Sequence, residues 1–421
     1  MTTPSGAPAP GKAPRARKTA AADTDPYKKT FAASRVTTSR QNAVVVNQAT
    51  QQAALAAAQA TAQGMKNLSA AAGGRRPAGG SGAHCGDGNL YVCFLSVGQG
   101  DCTIISTPGG RVVLIDCGST AAPGVTLAAL IANTKAVVYD RKFIGLSNQV
   151  DILITTHPDA DHYNKLEDVL GSTCQILTWY HSADRIAYSV AQTSAYLATN
   201  VIGGPHGAQR VIINDDPSNA PGETTVGGAP APWGNGPLDP ALDPNGGIRI
   251  YEDVSGCMIT LLAAGVNHPY HNETATPENR GSIVTLVEFN KKKLLICGDA
   301  TKSTEQFLIY QAGTQIRNVD VIQIGHHASK LTSSLPAFVG HVNPVRAIAS
   351  AGLNILQHRL PSKEVLDRYE TQMKSAGRKQ AATPHAVGCW EELAMNNIAH
   401  TMASYTYDID TTGQGLLEVT L

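Results

Sequence analysis

A layered α/β fold that gathers its polar chemistry along one sheet rim is what this sequence predicts, and three observations predict it. Short aliphatic and β-branched strands recur, helical patterns follow several of them, and the strands stop abruptly at Gly, Asp or His. Near-continuous apolar strands imply a sheet covered on both faces, and reactive groups collect where such strands end.

Five strand-to-polar junctions carry the prediction. Tyr91–Val97 runs into Gly98-Gln99-Gly100-Asp101, and Val112–Ile115 into Asp116-Cys117-Gly118. Ile152–Thr156 runs into His157-Pro158-Asp159-Ala160-Asp161-His162. Later, Leu294–Cys297 precedes Gly298-Asp299-Ala300, and Val319–Ile324 precedes Gly325-His326-His327. Helical periodicity is expected over Tyr163–Leu170, Ser303–Ala312 and Ser362–Met373.

Composition divides the 421 residues unevenly. Residues 1–82 form a basic, low-complexity arm, rich in Ala, Thr, Pro and Gln, with too few large apolar side chains for a packed core. Its first 80 residues hold eleven Lys/Arg against two Asp/Glu, net +9; since the chain balances 33 against 33, the remainder carries −9. Within the arm, residues 41–72 favour a helix on propensity, though its alanine-rich face buries little area. The globular domain is expected over 89–421, with a Gly/Pro-rich insertion at 203–247 too long for an ordinary connection. No apolar run suits a secretory signal or a membrane span, which predicts a soluble, cytoplasmic protein. The eight cysteines show no Cys-x-x-Cys spacing and read as reduced packing residues.

The segment 157–162 is the chemical centre of the sequence. Two histidines and two aspartates within six positions at a strand end suit a divalent ion such as Zn²⁺, Mn²⁺ or Fe²⁺, since carboxylates packed together without a cation repel one another.

The five junctions together resemble the metallo-β-lactamase superfamily, and more narrowly are similar to the hydrolase domain of ComEC-like competence proteins. The matching runs are Phe94–Asp101, Leu114–Gly118, Thr156–His162, Gly298–Ala300 and Gly325–Ser329. The resemblance implies an αββα four-layer sandwich with metals at one edge. It covers Tyr91 to the C-terminus and leaves the arm without a counterpart. Asp159 stands where the wider superfamily has a histidine, a departure that ComEC-like members share, and Ala328 replaces the usual glycine. The third-motif histidine has no clear equivalent: His181, His206, His268 and His271 sit in polar or turn-like contexts typical of surface histidines. His358-Arg359-Leu360-Pro361 is two residues longer than the family's His-Pro pair.

On this resemblance one ion is expected on Asp161, His162, Asp299 and one of His326 or His327, and a second on His157 and Asp159 with Asp299 bridging. One or two ions, Zn²⁺ or Mn²⁺ foremost, would bring the pKa of bound water from 15.7 towards ~7. Asp161, Asn279, Ser282 and Lys330 are candidate catalytic groups, and Asp101 and Asp116 are candidate supports behind the ligands. The expected reaction is phosphodiester hydrolysis, with single-stranded DNA as one substrate. A small phosphodiester, a lactone or a β-lactam is the alternative, favoured by the −9 balance of the catalytic region. From another class, the basic arm would deliver the protein to a partner or a secretion machine.

Overall fold

A computed structural model of the chain describes residues 86–120, 127–145, 147–203, 207–213, 247–352 and 359–376. Beyond these it describes Cys389 and segments 385–387, 394–396, 398–400, 405–409 and 416–420. The basic arm with its expected helix, most of the 203–247 insertion, His206 and His358 lie outside the described residues.

Two mixed sheets form the framework. The first comprises β1 (Leu90–Phe94), β2 (Thr103–Ser106), β3 (Val112–Ile115), β4 (Gln149–Thr155), β5 (Gln175–His181) and β6 (Ala208–Arg210), extended beyond β1 by β16 (Tyr405–Ile409) and β17 (Leu416–Thr420). β1 to β3 run antiparallel and β3 to β6 parallel. The second comprises β7 (Ile248–Glu252), β8 (Met258–Ala263), β9 (Val284–Phe289), β10 (Lys292–Ile296), β11 (Val321–Gln323), β12 (Arg346–Ala349) and β15 (Ile398–His400). β7 to β10 are antiparallel; β10, β11, β12 and β15 are parallel. A short pair, β13 (His385–Val387) with β14 (Ala394–Asn396), stands beside them.

Side-chain alternation sorts three cores. Leu90, Val92 and Phe94 of β1, Val113 and Ile115 of β3, and Ile152 and Ile154 of β4 meet Ile259, Val287, Leu294 and Ile296 between the sheets. The intervening Cys93, Val112, Leu114 and Leu153 pack outward with Leu130, Val138, Leu166 and Leu197 of the helices Leu127–Val138, Leu166–Leu170 and Ala191–Asn200. Leu286, Leu295 and Ile322 pack outward on the other side with Phe307, Val339, Leu366 and Tyr369 of the helices Lys302–Gln311, Pro336–Val342 and Lys363–Ser375. Helix, sheet, sheet, helix is therefore the layer order, as the resemblance implied. Every residue of β3 is buried, because both of its faces are covered. Six cysteines, at 93, 102, 117, 174, 257 and 297, form no disulfide and are buried as small core residues.

The sheets are tied together at the rim that carries the strand ends. Ile283 N donates to Thr156 O at 2.9 Å, and Ser350 Oγ donates to Gly100 O. Among the described residues no helix is long and apolar enough to cross a membrane.

Candidate metal centre

At the end of β4 the ladder gives way to side-chain bonding. Thr156 N donates to Asp116 Oδ1 and Thr156 Oγ1 to Asp116 Oδ2, each at 2.7 Å, so the carboxylate beyond β3 takes over where the strand stops. Pro158 cannot donate to a ladder and keeps His157 extended. A single helical turn, Ala160–Tyr163, then carries Asp161 and His162. Gly118 is required beside that turn: a Cβ there would lie 2.2 Å from the Asp161 carbonyl carbon.

The second sheet contributes Asp299 and the histidine pair. After β10 the chain turns through Gly298 at φ +50°, where a Cβ would meet Thr156 at 2.7 Å. Beyond β11, His326, His327 and Ala328 all adopt left-handed φ, of 48°, 52° and 61°. Adjacent residues of an extended strand point to opposite faces. This left-handed turn lets two consecutive imidazoles approach one carboxylate, at a cost of roughly 1–2 kcal/mol per residue. The conformation of Ala328 is also one that glycine adopts without steric cost.

Asp299 is the hub. Its Oδ1 lies 3.3 Å from His162 Nε2 and 3.4 Å from His327 Nε2, and the latter stands 3.4 Å from Asp161 Oδ2. Its Oδ2 lies 3.6 Å from both His157 Nε2 and His326 Nε2, and His157 Nε2 stands 3.5 Å from Asp159 Oδ2. Asp101, His162, Asp299 and His327, all buried, bring ligand atoms within 4.8 Å of one another.

Each of the four imidazoles is anchored through its other nitrogen. His162 Nδ1 donates to Asp116 Oδ2 at 2.8 Å, and His327 Nδ1 donates to Ser350 O at 2.7 Å. His157 Nδ1 lies 3.1 Å from Thr156 Oγ1, whose own hydrogen is committed to Asp116. His326 Nδ1 lies 2.9 Å from Thr332 Oγ1. The Nε2 atoms of His157, His162 and His327, with Asp299 Oδ1, are buried and make no hydrogen bond. Leaving four such atoms unsatisfied is costly, and a cation among them is the economical solution.

The titration behaviour of these groups agrees. Burial lowers the pKa of His162 and His327, but the charges of Asp299 and its neighbours outweigh it and raise both, His327 to about 9. Burial likewise pushes Asp161 and Asp299 up, yet the surrounding imidazoles hold both carboxyls below the usual range. Asp101, which faces less of that positive charge, is raised to about 7 by burial. The cluster demands positive charge, the demand a divalent ion meets.

The remaining sequence candidates fall in varied places. Asn279 Nδ2 donates to Asp299 Oδ2 at 3.0 Å, and Ser282 Oγ accepts from Asp299 N at 3.2 Å. Lys330 instead directs its ammonium towards Glu364, at 3.9 Å. His181 is buried, donates from Nδ1 to Ala183 O and stacks against Trp179; His268 is exposed; His271 lies 3.4 Å from Gln306. Asp101 accepts from Gln323 Nε2 at 2.9 Å and lies 3.9 Å from His162 Nδ1, the nitrogen already bonded to Asp116. Gln323 and Ser350, which orient the cluster, carry no charge and no motif signal that the sequence offers.

Residues 95–189 match the family model of the metallo-beta-lactamase superfamily. A stretch of 82 residues is 38% identical to recombination protein 2 of Haemophilus influenzae; it covers 20% of this chain and 10% of that protein's length. Among solved structures, a CmlA beta-hydroxylase mutant is 12% identical with a TM-score of 0.39, covering 82% of this chain and 59% of that one. The metallo-beta-lactamase fold protein YhfI of Bacillus subtilis is 10% identical with a TM-score of 0.36, covering 68% of this chain and 94% of its own. The family match and the four-layer architecture agree: this chain has the metallo-β-lactamase fold.

Proposed function

We propose that the protein is a metal-dependent hydrolase of phosphodiesters, with single-stranded DNA the first substrate to test, and that it belongs to the ComEC-like subgroup. The observation that carries the metal dependence is the common orientation of four histidines, each tethered at Nδ1 and each turning Nε2 to one shared carboxylate. A bound divalent ion, Zn²⁺ or Mn²⁺, supplies Lewis acidity and brings the pKa of water towards ~7. Asp161, His162, His327 and Asp299 would hold one ion, and His157, Asp159 and His326 a second, with Asp299 shared.

The chain's own residues divide the rest of the work. Asp116 and the Ser350 carbonyl fix the tautomers of His162 and His327. Asn279 and Ser282 hold the carboxylate and backbone of Asp299. The partial likeness to a recombination protein supports nucleic acid as the substrate class. The −9 balance of residues 81–421 instead favours a small phosphodiester, because an acidic surface repels a polyanion. Delivery through the basic arm is compatible with either substrate.

Elemental analysis of purified protein, combined with a panel of single-stranded DNA, a dinucleotide and a cyclic nucleotide, tests the reading. Zinc or manganese in the wild type and cleavage lost in Asp299→Ala is the expected result. Equal cleavage by both proteins assigns the activity to a contaminant and removes the proposal.

A further inference from the structure

The turn that presents Asp299 is built on an unusual substitution of side chains for backbone partners. β10 ends at Ile296, and the next three N–H groups leave the ladder. Cys297 N and Gly298 N both donate to Gln323 Oε1, at 2.8 and 3.0 Å, and Asp299 N donates to Ser282 Oγ. Gln323 is 1% exposed, and its other terminus, Nε2, donates to Asp101 Oδ2 at 2.9 Å. Because Oε1 accepts two backbone hydrogens, the amide orientation is forced, and the nitrogen must face Asp101.

Only an amide of this length meets both demands. A glutamate would keep the acceptor for Cys297 and Gly298 but set an oxygen against the Asp101 carboxylate. A lysine would bring donors only and leave Cys297 N and Gly298 N without their acceptor, and asparagine is one methylene short. Asp101 comes from the first sheet and Asp299 from the second, so this side chain connects the two carboxylates across the sandwich.

We propose that Gln323 is a positioning residue of the metal-binding cluster: its oxygen sets the Asp299 turn and its nitrogen holds Asp101, which ties that turn to the carboxylate standing behind His162 in the first sheet. The inference rests on the metal reading above. Loss of a partner that orients ligands in this way typically weakens metal binding by roughly 10- to 100-fold.

The test is Co²⁺ titration of the metal-free full-length chain, followed by calorimetry and by the visible Co²⁺ bands, for wild type, Gln323→Glu and Gln323→Met. Circular dichroism checks each fold, and Gln323→Glu keeps the test decisive should Gln323→Met fail to fold, since it retains the acceptor for both backbone hydrogens. Expected are folded Gln323→Glu protein, Co²⁺ affinity weaker by about 10-fold or more, and altered bands. Affinity within about 2-fold of wild type, with unchanged bands, overturns the role of Gln323 while the metal reading stands. A wild type that binds no Co²⁺ overturns both.

Discussion

The two oxygens of Asp299 face unlike surroundings. Around Oδ1 stand His162 and His327, both buried, with Asp161 beside them. Around Oδ2 stand His157, His326 and the Asn279 amide, and Asp159 on that side has 45% of its side chain exposed. Oδ1 makes no hydrogen bond, whereas Oδ2 already accepts one. Burial weakens competition from water and strengthens charge interactions, so the Oδ1 side is built to hold an ion tightly. The Oδ2 side is wetter and partly satisfied, so on the proposed metal reading an ion there would be held less tightly. On that reading one carboxylate would serve a retentive position and a labile one.

The largest effect should come from removing what both positions share. Asp299→Ala should abolish metal in both, weakening binding beyond the ~100-fold upper range for an orienting partner; elemental analysis after dialysis reads the outcome directly. Next, His327→Ala and His326→Ala should separate the positions. The first should lose the tightly held ion, and the second should keep it and lose only the weaker one, read as metal stoichiometry by calorimetry. Identical behaviour of the two variants would break the comparison.

Asp116→Asn should have an intermediate effect. It keeps an acceptor for Thr156 N, but the amide nitrogen that replaces Oδ2 can accept from neither Thr156 Oγ1 nor His162 Nδ1, and the cost should be about 10- to 100-fold in affinity at the Oδ1 position, where His162 stands. An equal loss at both positions would show that Asp116 acts through the fold and not through His162.

A fourth buried histidine, away from the cluster, sharpens the contrast. His162 and His327 are buried among carboxylates and their pKa values rise, whereas His181, buried against Trp179 and Tyr188, is lowered to about 4. Burial, the largest cause at His181, is only partly offset there by the bond to Ala183 O and by Asp184, while Arg185 and Arg210 add to it. The folded state therefore binds this proton less tightly than the unfolded chain. Stability is full above the ordinary value of 6.5 and falls as pH drops towards about 4, by up to about 1.4 kcal/mol per pH unit. Urea unfolding of the metal-free protein across pH 4–7 should show a shallower slope for His181→Phe than for wild type. Equal slopes would remove His181 as a contributor.

That Asp299 and the histidines and aspartates around it would gather was legible because charged and imidazole groups at apolar strand ends are costly without a reason. It was legible that β3 and the Ile152–Ile154 run of β4 are covered on both faces, since these stretches carry no polar position. Boundaries were less so. The Asp161–His162 turn begins at Ala160, three residues before the helical pattern expected from Tyr163, and β11 spans only Val321–Gln323, because Val319 pairs its backbone with Val342 and Val345. Gln323 and Ser350 were invisible, because a neutral side chain acquires its role only from neighbours brought close by folding. The separate reach of His326 and His327 to the two oxygens depends on three left-handed residues, which no residue type there announces.

Anomalous diffraction at the zinc absorption edge, from crystals grown with zinc, tests the central claim most directly. The account predicts a strong peak contacted by His162 Nε2, His327 Nε2 and Asp299 Oδ1, and a weaker peak on the Asp299 Oδ2 side with His157 and His326. Zinc bound only elsewhere on the molecule, with no peak beside Asp299, would contradict it.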